Sequence, residues 1–190
     1  MTNIAQFEIV SFDNFLKGIE ESIRLNDGKS EIEYLLKEDK EFIYYNFYKN
    51  IIIPKRSTKG SAGYDFFFPF DKITLKAGES IVVPTGIKAK MLYSDCFLGI
   101  YTKSGLGFRH NIKMDDTVGI IDADYYNTKE EGHILIKLRN EHKDIVCYLN
   151  KYMPFAQGIF QLYGTVVGDS AEGVRVGGFG STYDYTKTFS

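Results

Sequence analysis

The sequence predicts an all-β body with a short α-helical appendage at its N-terminus. From about residue 51 onward, short β-branched and aromatic runs alternate with Gly, Pro and Asx turn signals at near-even spacing. No long helical pattern interrupts them, and the 14 Tyr and 15 Phe, with no Trp, favour strands. Before residue 50 the apolar spacing is helical instead. Many short strands with no long helix among them make a β-barrel or a sandwich.

In SFDNFLKGIEESIR, Phe12, Phe15, Leu16, Ile19 and Ile23 recur as one helical stripe. NDG at 26–28 stops that helix, and SEIE at 30–33 is a capping box for a second short helix through Leu35 and Leu36. EFIYYNFYKNIII then turns aromatic and β-branched, reads as a strand that pairs with the body, and ends at Pro54. KITLKAGESIVVPTGIKAKM alternates around AGE and PTG, and CFLGIYTK is a strand. GHILIKLRN and DIVCYLN flank EHK as a hairpin, and FAQGIFQLYGTVV is strand again, broken by Gly158. The expected division is a helical appendage over 1–50, a β body over 51–170 and a Gly-rich arm over 171–190. Deleting residues 1–50 is expected to leave a folded, active body.

Hydrophobic residues are 44% and charged residues 25% of the chain, as in a soluble globular domain. The formal net charge of −2 argues against general binding to nucleic acid or an anionic membrane, so an anion must be held by local groups. Cys96 and Cys147 lie in apolar runs and read as buried thiols of a reducing compartment. MTNIAQFEIV lacks the pattern of a signal peptide, and no run reaches membrane-spanning length, so a cytoplasmic location is expected. No phosphate-loop or metal-ligand spacing is present, and His110, His133 and His142 stand singly in the sequence.

Four short stretches carry candidate chemistry. VGIIDADY, 118–125, brings an apolar run into a turn with two carboxylates and an aromatic. YTKSGLG, 101–107, offers a cation, a hydroxyl and glycine amides, the makings of a phosphate nest. KGSAGYDF, 59–66, sets Asp65 behind a glycine-lined loop. RVGGFGST, 175–182, places Phe179 among glycines where a chain usually frays.

The succession SAGYD, KSGLG, VGIIDADY, FAQ and GGFGST resembles the five motifs of the trimeric deoxyuridine triphosphatases (dUTPases), in family order, over roughly residues 51–182. The resemblance implies a jelly-roll-like β-barrel and a homotrimer with shared active sites. It further implies Mg²⁺-assisted hydrolysis of dUTP to dUMP and pyrophosphate, by water attack at the α-phosphate. By the same likeness Asp122 orients and activates the water, Ser104 assists as a phosphate contact, and Asp65 is associated with the metal. Substrate contacts fall to Lys103, Gly105, Gly119, Ile121, Tyr125, Gln157, Arg175, Phe179, Gly180 and Ser181. Tyr125 excludes a 2′-hydroxyl, Phe179 packs on uracil, and Arg175 reaches the terminal phosphate. Position alone does not separate Asp122 from Asp124, because alternate strand residues face the same way.

The chain departs from the family pattern at several points. Lys103 replaces an arginine, Asp116 an asparagine and Tyr183 a glycine, and the fourth motif's arginine falls at Pro154. Lysine gives phosphate a point charge in place of a two-pronged fork. Two alternatives stand beside hydrolysis: a dCTP deaminase or bifunctional deaminase–diphosphatase, and a dUTP-responsive regulatory protein. Residues 1–50 offer such a protein an amphipathic helix for a partner.

Overall fold

The computed structural model describes residues 3–26, 40–175 and 177–178. In chain order the elements are β1 (Ala5–Ile9), α1 (Phe12–Leu25), α2 (Lys40–Lys49), β2 (Tyr64–Phe67), β3 (Lys72–Leu75), β4 (Ser80–Pro84), β5 (Ile87–Met91) and β6 (Cys96–Thr102). There follow α3 (Ser104–His110), β7 (Ile112–Met114), β8 (Gly119–Ile121), a 3₁₀ turn (Ala123–Asn127), β9 (Leu135–Asn140), β10 (Cys147–Asn150) and β11 (Pro154–Leu162). The capping box at 30–33 and its helix lie outside the described residues.

Strands β2-β11-β6-β8 form one antiparallel sheet and β4-β9-β7 another, while β3 pairs with β10 and β1 with β5. The pairs β3–β10 and β4–β9 are nested in the sequence, so one long two-stranded ribbon folds over, the hallmark of a jelly roll. This corrects the hairpin expected around EHK: β9 and β10 each pair with the other half of the ribbon. Asn140, fully buried, stitches the corner by donating from Nδ2 to the carbonyls of Leu75 (2.9 Å) and Ile145 (2.8 Å). Gly158 does not break its strand either. A Cβ there would lie 2.8 Å from Leu98 Cδ1 and 3.0 Å from Phe66 Cε2, so glycine lets β11 run continuously through the core. Pro154 opens β11, where a missing N–H costs least.

The N-terminal segment is built into the body. Ser11 caps α1, accepting from the Asn14 N–H, and the helix buries Asn14, Phe15, Gly18, Ile19 and Ser22. Ser22 Oγ donates to the Val82 carbonyl (2.5 Å), and Asn26 Oδ1 accepts from the Val82 N–H (3.1 Å). The outer edge of β4 is thus satisfied by side chains of the helix. β1 lies along β5 with Ile9 opposite Ile87, and Phe7 meets the rings of Tyr64, Phe66 and Phe160.

FIYYNFY is helix where its composition predicts strand. Ile43, Tyr44, Phe47 and Tyr48 recur at helical spacing, and that face is the one turned inward. Phe47 meets Phe70 edge-on at 5.2 Å. Val10, Phe15, Ile19, Tyr44 and Phe47 belong to the same buried cluster as Phe66, Phe68, Ile100 and Leu138, so the core runs across residue 50. Cys96 and Cys147 are buried free thiols, as expected. Among the described residues no helix is long and apolar enough to cross a membrane.

Candidate active site

The site residues fall into two groups, set by the two ends of β6. At the Thr102 end, Asp65 on β2 is buried with both carboxylate oxygens engaged. Lys103 Nζ pairs with Oδ1, and Ser57 Oγ donates to Oδ2 at 2.8 Å. Gln157 on β11 stands opposite Asp65 and donates from Nε2 to the Thr102 carbonyl (3.2 Å). Gly63 makes room for it, since a Cβ there would lie 2.5 Å from Gln157 Oε1. Ser104 and Gly105 begin α3 directly after Lys103, both exposed.

At the other end, β8 lies against β6 with Ile121 opposite Leu98, and Asp122 leaves the strand into the 3₁₀ turn. Arg175 holds both candidate acids: Nη2 is 2.6 Å from Asp122 Oδ2, and Nε is 3.1 Å from Asp124 Oδ1. Its guanidinium lies 5.7 Å from the centre of the Tyr125 ring. Tyr125 is buried and donates its hydroxyl to the His133 carbonyl (2.8 Å). Burial, and next the Glu130 charge, raises the pKa of that phenol. Asp116 sits in the turn before β8; partial desolvation, and then the Asp115 charge, raises its carboxyl above the ordinary value.

At about 3.3 Å per residue, the run from Leu98 to Lys103 covers roughly 16 Å, so Asp122 and Lys103 lie at opposite ends of one strand. Gly119 and Ile121 are buried on β8 beside the second group. Phe179, Gly180, Ser181 and Tyr183 lie outside the described residues.

Beside the second group opens a cavity of about 520 Å³, within the size range of small-molecule sites. Asp116, Tyr125 and Gly178 line one side, and Lys17, Gly18 and Glu21 of α1 line the other. Sequence reasoning missed this helical wall. Its signal was Gly18, a poor helix former in the middle of an amphipathic stripe.

For a metal, Asp65 is committed to Lys103 and Ser57, and the described residues hold no group of three or more His, Cys, Asp or Glu suited to an ion. They do not fit a protein-held metal centre.

The loop after Tyr125 carries two strongly perturbed groups, Glu131 and His133. His133 is 3% exposed, and desolvation lowers its pKa to about 4. The neutral ring accepts from the Gly86 N–H at Nε2 (2.9 Å), leaving Nδ1–H to donate to the Asn14 carbonyl (3.2 Å). Glu131 accepts from Ser11 Oγ (2.7 Å), Asn14 Nδ2 (2.7 Å) and Lys88 Nζ (3.3 Å), and these contacts, led by Ser11, lower its pKa to about 2.

Linkage fixes the sign of the resulting acid sensitivity. A His133 pKa depressed from 6.5 gives stability complete above pH 6.5 and lost as pH falls towards about 4. The Glu131 contribution is complete above pH 4.5 and lost towards about 2. The thermal midpoint should therefore drop between pH 7 and 4.5, chiefly through His133. His133→Asn should lower the midpoint at pH 7 and flatten that slope; parallel wild-type and mutant curves would reject the assignment.

The sequence model of the dUTPase family matches residues 49–183. The chain is 38% identical over 140 residues to the deoxyuridine 5′-triphosphate nucleotidohydrolase of Lactococcus lactis, covering 71% of this chain and 91% of that one. It is 36% identical over 136 residues to the protein of that name from Burkholderia thailandensis, covering 68% and 88%. Among solved structures it is similar to the dUTPase of Streptococcus mutans, with TM-score 0.54 and 31% identity, over 61% of this chain and 89% of that one.

Proposed function

The chain belongs to the dUTPase family, and on that premise we propose that it hydrolyses dUTP to dUMP and pyrophosphate in a site assembled between copies of the chain. The observation that carries the reading is Asp122, half-exposed on a cavity of about 550 Å³ that it lines together with Asp124, and held by a guanidinium able to turn to phosphate. Asp122 aims the attacking water at the α-phosphorus and takes its proton. A carboxylate suffices, because little proton transfer is needed early in a loose transition state. The rest is positioning and charge stabilisation. Lys103, Ser104 and the Gly105 amide take phosphate oxygens, with Gln157 beside them. Gly119 and Ile121 border the base, and Tyr125 packs where a ribose 2′-hydroxyl would sit. The arm closes with Arg175 on the terminal phosphate, Phe179 on uracil, and Gly180 and Ser181 on the phosphates.

Arg175 leaves Asp122 when nucleotide arrives, exchanging one anion for another. A magnesium ion brought by the triphosphate would neutralise part of its charge, and Asp65, with both its oxygens engaged, would contribute to it only indirectly. Its main work is to hold Lys103.

Sharing of the site between copies of the chain, as in the trimer that the resemblance implies, is supported by the separation of the two groups. Lys103 and Asp122 at opposite ends of β6 do not converge on one phosphate chain within a protomer. A second copy brings its Lys103 end to this copy's Asp122 end. Free Cys96 and Cys147 fit a reducing, cytoplasmic setting. The inner face of α1 is committed to β4, so α1 serves this fold before any protein partner.

Pyrophosphate release from dUTP, dCTP, dTTP and UTP tests the activity. Turnover should be confined largely to dUTP. Ammonia release, or equal turnover of dCTP, would place the chain in the deaminase branch.

A further inference from the structure

We propose that α1, which lies outside the matched family region, is a positioning element of the nucleotide site: seated on His133 and Glu131, it fixes the loop behind Tyr125 and so sets discrimination between dUTP and UTP. The proposal rests on the reading of Tyr125 as the ring that excludes a 2′-hydroxyl.

Three contacts lead from helix to ring. Gly18 lies flush against the imidazole, where a Cβ would be 2.3 Å from His133 Cε1 and 2.5 Å from Nδ1. The ring has little freedom to yield, because Nδ1–H is bonded to the Asn14 carbonyl and Nε2 to the Gly86 N–H. The carbonyl of the same His133 accepts the Tyr125 hydroxyl at 2.8 Å. A displacement of α1 therefore reaches Tyr125 through a single residue.

The loop needs such support. Glu131 (φ 56°) and Gly132 (φ 67°) are both left-handed, a costly state for glutamate. Gly132 also lies close under the 3₁₀ turn, where a Cβ would be 2.7 Å from Tyr126 Cα. Glu131 is held in that conformation by Ser11 and Asn14 at the start of α1, and by Lys88. On its other side α1 is anchored to β4 through Ser22 and Asn26, so it is a fixed abutment. The face of α1 that makes these contacts, with Lys17, Gly18 and Glu21, is also the wall of the cavity holding Tyr125 and Asp116.

The test is the ratio of kcat/KM for UTP to that for dUTP, a quantity that general loss of stability does not move. Gly18→Ala forces the helix and His133 apart and should raise the ratio about tenfold or more, mainly through a lower KM for UTP. Glu131→Gln keeps the shape but removes the charge holding Ser11 and Asn14, and should move the ratio in the same direction. It decides the matter if Gly18→Ala fails to fold. Tyr125→Phe cuts the link to the His133 carbonyl, so adding it to Gly18→Ala should give less than the product of the two effects. Tyr125→Ala is the reference. If it shifts the ratio while folded Gly18→Ala and Glu131→Gln do not, the proposal is overturned and α1 is only a cover. If Tyr125→Ala leaves the ratio unchanged, the role given to Tyr125 falls, and the proposal with it.

Discussion

Asp122→Asn is expected to lower dUTP turnover by about 10²–10⁴-fold while leaving nucleotide binding within a modest factor. The amide matches the carboxylate in shape and still accepts a hydrogen bond, but it takes no proton from water and aims it poorly. Binding is preserved because the base and phosphate contacts come from other residues. Releasing Arg175 from its 2.6 Å pair with Asp122 makes the guanidinium more available to phosphate. Asp124→Asn is the matched control, since Asp124 shares the same arginine at 3.1 Å. It should keep most turnover. Single-turnover hydrolysis, with calorimetric titration of a non-hydrolysable dUTP analogue, separates the two quantities. An active Asp122→Asn beside a dead Asp124→Asn would exchange their roles.

Removal of residues 1–50 should abolish cooperative folding, the reverse of what the sequence alone leads one to expect. The cut takes Val10, Phe15, Ile19, Tyr44 and Phe47 out of the common core. Truncating one buried large side chain costs about 2–5 kcal/mol, and a whole domain is stable by only about 5–15 kcal/mol. It also bares the β4 edge that Ser22 and Asn26 satisfy and leaves β5 without β1. The truncated chain should lack a thermal transition and bind a hydrophobic dye. Phe15→Ala alone should cost about 3–5 kcal/mol in a denaturant titration. A truncated chain that melts cooperatively and hydrolyses dUTP would return this segment to the status of an appendage.

The body's strands were legible because their signals are local. CFLGIYTK is β6, and the apolar stripe from Phe12 to Ile23 is α1. Pairing was not legible. β9 and β10 sit beside a turn that suggests a hairpin, yet each joins a distant strand, a choice made by the folding of the whole ribbon. FIYYNFY misled because its aromatic composition favours strands while its spacing favours a helix. In the site, Asp122, Tyr125, Lys103 and Asp65 were singled out by the order of motifs and its resemblance to the family pattern. The proposed role of α1 behind Tyr125 was hidden, because it depends on the helix meeting a glutamate and a histidine more than a hundred residues further along the chain.

The central claim is that one copy's Asp122 works with another copy's Lys103. Subunit mixing tests it most directly. Prepare Asp122→Asn chains and Lys103→Met, Ser104→Ala chains, each inactive alone, and let them exchange at equal concentration with exchange verified by native mass spectrometry. Shared sites should restore about a quarter of wild-type dUTP turnover, the fraction of randomly formed sites with both halves intact. Verified exchange with no recovery would mean that each chain builds its site alone, contradicting the account.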